Sequence, residues 1–151
     1  MPGVKIEWAV SKAGVWTFSV LKAYPGDAYV DLVGAHYYDV GSQFRTQRAF
    51  DKFLDSTRYG GPQGLSTWLP VVTAHGKLLD VPEWGVWMRH GTAADADSPV
   101  YVQGMYQFFK ANAPKIAYEN YYDCSEHHRL DPPTLFPNAS ATYQRLWSAG
   151  R

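Results

Sequence analysis

A chain of 151 residues with 46% hydrophobic and 19% charged content suits one globular domain with a buried core. Lys plus Arg and Asp plus Glu balance at 14 each, so the sequence lacks the basic footprint of a nucleic-acid binder or of a protein held on an anionic membrane. No segment approaches the roughly 18 apolar residues of a membrane span, and Cys124, the single cysteine, cannot form an intrachain disulfide.

In chain order, Val4–Val10 is rich in β-formers and is expected to be a strand. Tyr24-Pro25-Gly26-Asp27 is a turn, in which Pro fixes φ and Gly supplies freedom. It leads into Tyr29–Tyr38, apolar on both faces in its middle, as a parallel strand covered on both sides would be. Phe44–Tyr59 has irregular apolar spacing and gives the weakest signal. Leu65, Trp68, Leu69 and Val72 form a helical stripe, which His75-Gly76-Lys77 ends with Gly at the C′ position. Leu78–Glu83 is a short buried strand. Ser98-Pro99 caps and opens a helix carrying Val102, Met105, Tyr106 and Phe109 on one side. Ile116–Tyr122 is a fourth strand, and Asn138 opens a last helix with Ala139, Tyr143, Leu146 and Trp147 on one face.

Strands alternating with helices predict an α/β fold of parallel βαβ units, with the strands adjacent in chain order. Two architectures use that pattern: an open doubly wound sheet, or half of a closed eight-stranded barrel, which needs about 250 residues. No Gly-rich phosphate loop follows any strand, which removes the main support for a nucleotide site and for a cofactor of that class.

Functional residues of such folds sit at the C-terminal ends of the strands. Those ends read Trp8, then His36-Tyr37-Tyr38-Asp39, then Glu83-Trp84-Gly85, then Glu119 through Asp123. Six Trp, eleven Tyr and seven Phe can serve as core, but flat apolar rings with polar edges also stack on the C–H faces of sugars. Carboxylates, aromatics and hydrogen-bonding groups together are what a carbohydrate site requires. Glu83, held between Pro82 and Trp84-Gly85, is the leading carboxylate.

The segments YPGDAYVDLVGAHYYD, HGKLLDVPEWGVW and SPVYVQGMYQFFKANAPKIAYENYYD, in that order, resemble glycoside hydrolase family 26, the β-mannanase-like group of retaining (β/α)8 glycosidases. The resemblance runs from Val4 to Trp147 and implies a (β/α)4 half-barrel. Residues 1–151 would be the C-terminal half of the catalytic domain, strands 5–8 of a TIM-barrel glycosidase. It places Glu83 as the nucleophile and Tyr38 as its hydrogen-bonding neighbour. An aromatic bordering the sugar subsite falls on Tyr121 or Tyr122. Trp8, His36, Trp84, Trp87 and Tyr121 are the candidate substrate-binding residues, Trp84 with the reservation that it can face the helices instead. The substrate class implied is a β-linked polysaccharide of mannan type.

The general acid/base of that family lies at the end of strand 4, upstream of every residue here, and Glu7 sits within a strand rather than at its end. A retaining mechanism needs two carboxyl groups about 5–5.5 Å apart. These residues alone are therefore expected not to hydrolyse a polysaccharide, and two unpaired sheet edges invite a second chain or self-association. A non-catalytic carbohydrate-binding or structural half-barrel is the alternative. Residues 1–20 lack the pattern of an export signal, although members of the family are usually secreted. His127-His128 beside Glu126 and Asp131 is read as a solvated loop rather than a metal site, Cys124 as structural, and Asp27 and Asp31 as anchors of the turn before the second strand.

Overall fold

The structure, a computed structural model, describes residues 3–11, 17–40, 43–89, 91–124 and 127–149. Four strands form one sheet: β1 (Glu7–Ser11), β2 (Leu32–Val40), β5 (Leu78–Trp87) and β6 (Ile116–Tyr121). They lie in the order β1-β2-β5-β6, and every pairing is parallel. The helices are α1 (Gln47–Leu54), α2 (Leu65–Ala74), the short α3 (Ala93–Ala96), α4 (Pro99–Asn112) and α5 (Pro137–Ser148). Between α1 and α2 a small antiparallel hairpin joins β3 (Thr57–Arg58) to β4 (Gly61–Pro62). Phe44–Tyr59 thus resolves into one helix and the start of a hairpin. Tyr59 and Gly60 both take positive φ at its tip, as a type I′ turn requires.

The predicted order and direction of the strands hold, while their limits shift: β2 begins at Leu32 rather than Tyr29 and runs on to Val40, and β6 ends at Tyr121. Val4–Ile6 lie outside β1, and Ile6 instead bonds the turn before β2: its N–H donates to Asp31 Oδ2 at 2.7 Å and its carbonyl accepts from Asp31 and Leu32. β5 does not stop at Glu83. Tyr37–Val40 pair with Trp84–Trp87, which carries the strand four residues further.

Local chemistry sets the helix ends. Ser98 Oγ accepts from the Tyr101 N–H at 3.1 Å, with Pro99 in the first turn of α4. α2 ends in a Schellman motif: Gly76 at φ +62° donates to Thr73 O, and Lys77 donates to Val72 O. α5 begins at Pro137, one residue before Asn138, and its cap comes from a distant loop, because Asp97 accepts from the N–H groups of Asn138 and Ala139.

The core fills the space between the sheet and the helices. Leu65, Trp68 and Val72 of α2 and Val102, Met105 and Phe109 of α4 are buried there with Val33, Leu79 and Val81 of the sheet. Tyr37, Phe44 and Tyr101 stack in one aromatic column, and the Tyr101 hydroxyl donates to the Tyr37 carbonyl. No helix among the described residues is long and apolar enough to cross a membrane.

Candidate active site

Side chains of a strand alternate between two faces. In β2, Val33, Ala35, Tyr37 and Asp39 enter the core, so Gly34, His36 and Tyr38 point to the opposite, inner face. β5 begins in phase, with Asp80 beside Gly34. Simple alternation would then send Glu83 into the core. Between the pairs Gly34–Asp80 and Tyr37–Trp84, however, β5 advances four residues while β2 advances three. This β-bulge resets the alternation, so Asp80 and Glu83 both face inward. Pro82, which has no N–H for a sheet ladder, lies within the bulged stretch.

The Tyr38 hydroxyl donates to Glu83 Oε2 at 2.9 Å, and His36 Nδ1 lies 3.2 Å from the same oxygen. Both contacts fall on Oε2, so Oε1 has no hydrogen-bond partner among the described residues. Burial, and then the bond to Glu83, push the Tyr38 phenol well above the ordinary tyrosine range, so it remains a donor at any pH the protein meets.

Three rings surround this carboxylate neighbour. Tyr38 lies 5.7 Å from Trp87 and 6.1 Å from Tyr122, both edge to face. His128 closes the cluster at 5.1 Å from Tyr38, 5.4 Å from Trp87 and 5.1 Å from Tyr122. Its Nδ1 is 3.0 Å from the Val86 carbonyl, which can only accept, so the proton sits on Nδ1 and Nε2 keeps its lone pair. Burial lowers the pKa of His128, which keeps the ring neutral near pH 7. Met88 N–H to His127 O at 3.0 Å and Tyr121 hydroxyl to His128 O at 2.9 Å fix the loop that carries it.

Of the residues expected at the site, Glu83, Tyr38, His36 and Trp87 come together. Three do not reach it. Trp84 is fully buried behind the sheet between Phe109, Tyr121 and Trp147, with its indole N–H on Glu119 at 2.6 Å. Tyr121 pairs with Trp84 in register and packs on the same core side; its hydroxyl accepts from Val86 N–H, and Tyr122 takes the mouth position instead. Trp8 packs on Tyr24 at 5.1 Å and on the buried Trp68 at 6.0 Å, again on the helix side. In each case the strand places the residue one step out of phase with the inner face.

Glu119, the other strand-end glutamate, is also committed to the helix layer, with Oε1 accepting from Trp147 Nε1 at 2.9 Å and Oε2 from Trp84. Asp27 accepts from the Tyr24 hydroxyl and lies 2.8 Å from His75 Nδ1, as an anchor of the turn. Cys124 is exposed, and Glu126 lies outside the described residues. His128 joins the site although its sequence context is that of a solvated loop. No local spacing could have found it, because its role depends on a loop folding back onto β5.

No protein-family model matches the sequence, and no curated protein matches it. Solved structures match its fold. GH26C from Muricauda sp. MAR_2010_75 superposes with a TM-score of 0.59 at 18% identity over 94% of this chain and 35% of that one. A modular endo-β-1,4-mannanase from Cellulomonas fimi gives 0.57 at 19% identity over 90% of this chain and 29% of the other. The catalytic domain of the Bacillus sp. JAMB-750 GH26 endo-β-1,4-mannanase gives 0.52 at 18% identity, over 91% and 37%. The chain therefore spans about a third of the structures it matches. Its parallel sheet with flanking helices matches half of the TIM-barrel fold of those structures.

Proposed function

We propose that this chain forms the nucleophile-bearing half of a retaining β-glycosidase acting on mannan-type polysaccharide. One observation carries the reading: Tyr38 and His36 converge on a single oxygen of Glu83 at the mouth of the sheet and leave the other oxygen unengaged. A nucleophilic carboxylate needs that arrangement, in which one oxygen is fixed and the other is aimed at the anomeric carbon. Trp87 and Tyr122 beside Tyr38 supply apolar ring surface for the sugar. In the double displacement, Glu83 Oε1 forms the glycosyl-enzyme bond while a second carboxylic acid protonates the departing oxygen, and water then releases the sugar. Glu119 is held in the helix layer, so the acid is supplied by the four βα units that complete the barrel. Mannanase neighbours in the fold comparison support the substrate class.

The rival reading is a carbohydrate-binding or structural half-barrel without chemistry of its own. It draws on the same engagement of Glu119 by Trp84 and Trp147. Hydrolysis assays separate the two readings. Residues 1–151 alone are expected to leave mannan intact. Joined to the completing half, they are expected to hydrolyse it, and Glu83→Ala is expected to lower that activity by about four orders of magnitude or more, the scale of losing a covalent nucleophile. Full activity of the completed barrel with Glu83→Ala would remove Glu83 from the mechanism. Mannan hydrolysis by the 151 residues alone would show that the acid lies among them.

A further inference from the structure

Below the mouth, side chains from three strands meet on the inner face over Gly34 of β2: Glu7 from β1, two residues below the Ala9 that pairs with Gly34, Asp80 from β5 and Tyr118 from β6. A Cβ at position 34 would lie 2.8 Å from each of Glu7 Oε1, Asp80 Oδ2 and Ala9 Cβ. The two carboxyl groups therefore converge over the bare backbone of Gly34, and any larger residue would drive them apart. The Tyr118 hydroxyl donates to Glu7 Oε2 and caps the pair from the far strand. Asp80 is completely buried, and of the other described residues only Glu7 and Tyr118 come within hydrogen-bonding reach of its side-chain oxygens. A carboxyl group held this way costs free energy unless a partner arrives or a proton stays on it. The proton stays: burial, and then the neighbouring Glu7, raise the pKa of Asp80 to about 8.

We infer that Glu7 and Asp80 form a socket for a basic side chain, a guanidinium or ammonium group, carried by the strand that pairs with the free edge of β1 when the barrel is completed. This rests on the half-barrel reading above. β1 is the edge strand of the sheet, and Glu7 is the member of the pair that lies on it, partly exposed. A closed barrel fills its interior in layers contributed from all round the sheet. Among the described residues, this cluster holds two acids and a phenol and no cation. The groups facing Asp80 are Glu7 from β1 and Tyr118 from β6, while β2 presents Gly34 without a side chain. A cation entering here replaces the proton on Asp80, so completion of the barrel releases a proton below pH about 8.

The test has two arms. In the first, carboxyl ¹³C NMR of the folded chain follows Asp80 and Glu7 during titration with guanidinium chloride, below the onset of unfolding. Sodium chloride at equal ionic strength is the control. Guanidinium is expected to shift both carboxyl signals saturably and to make Asp80 ionise at lower pH, an effect absent in Glu7→Gln. Equal responses to the two salts, or none, overturn the socket. In the second arm the chain is co-expressed with the rest of the barrel domain of the Cellulomonas fimi mannanase. Affinity is expected to rise with pH from 6 to 8, by up to about tenfold per unit for one released proton, and Asp80→Asn is expected to flatten that slope. Assembly with the same pH dependence in wild type and Asp80→Asn overturns the socket and leaves barrel completion standing. A positive guanidinium response without assembly keeps the socket and counts against barrel completion.

Discussion

Two carboxylates on the same strand, three residues apart, have opposite relations to water. Glu83 sits at the mouth with Tyr38 and His36 on one oxygen. Asp80 lies under Glu7 and Tyr118, cut off from solvent. Burial works against the charged form of Asp80, and this has a consequence for stability. Its folded pKa of about 8 lies above that of an unfolded aspartate, near 3.9, so between those values the native state holds a proton that the unfolded chain has lost. Stability is therefore expected to fall as pH rises through that window, with the Asp80 contribution complete below it and gone above it. Asp80→Asn removes the titration and keeps the shape. Denaturant midpoints measured from pH 4 to 9 are expected to fall with pH in the wild type and to change less in Asp80→Asn, with the variant the more stable of the two at pH 8. Parallel pH profiles would show that Asp80 is ionised in the fold.

The elements are held by caps whose partners lie far away in sequence. Asp97 bonds the first turn of α5 with both carboxylate oxygens, reaching Asn138 through its backbone and side chain and Ala139 through its N–H. An acceptor at a helix start satisfies orphan N–H groups and meets the positive end of the helix dipole. Asp97→Ala is expected to cost about 1–2 kcal/mol and to raise hydrogen exchange in the first turn of α5 more than elsewhere. Uniform exchange across α5 would show that helix packing, through Tyr143 and Trp147 on Trp84, holds it without the cap. The β5 bulge is the other element-scale device. It adds one residue, and that residue decides which side of the sheet Glu83 faces.

At the scale of the whole molecule, the sheet has helices on one face, while its inner face carries the site and the Glu7–Asp80 pair. β1 and β6 are edge strands with unpaired backbone groups. Val4, Ile6 and Tyr118 add exposed apolar surface at or near those edges, each more than 40% accessible. The 151 residues on their own are expected to self-associate. Sedimentation velocity across a micromolar concentration series is expected to show a rising mass. A concentration-independent monomer with no binding of a hydrophobic dye would show that the edges are protected.

What the sequence determined by itself follows from patterns that are local. Apolar runs bounded by turns located four strands, their alternation with helical stripes made them parallel, and Ser98-Pro99 and Gly76 marked helix ends. Pro82-Glu83-Trp84-Gly85 singled out Glu83, and the resemblance paired it with Tyr38, where a 2.9 Å hydrogen bond is found. Which way each strand residue faces was beyond local pattern. Strands covered on both sides are apolar throughout, so their alternation carries no phase. The phase is set by pairing with neighbours and, in β5, by one bulge. That is why Trp8, Trp84 and Tyr121 read as sugar platforms and fold into the core. It is also why Glu119 looked available while two indole N–H groups already held it. His128 joins Tyr38 across ninety residues of chain, and Glu7 meets Asp80 across three strands. Contacts of that range exist only once the sheet has formed, because they depend on register and not on any residue's own neighbours.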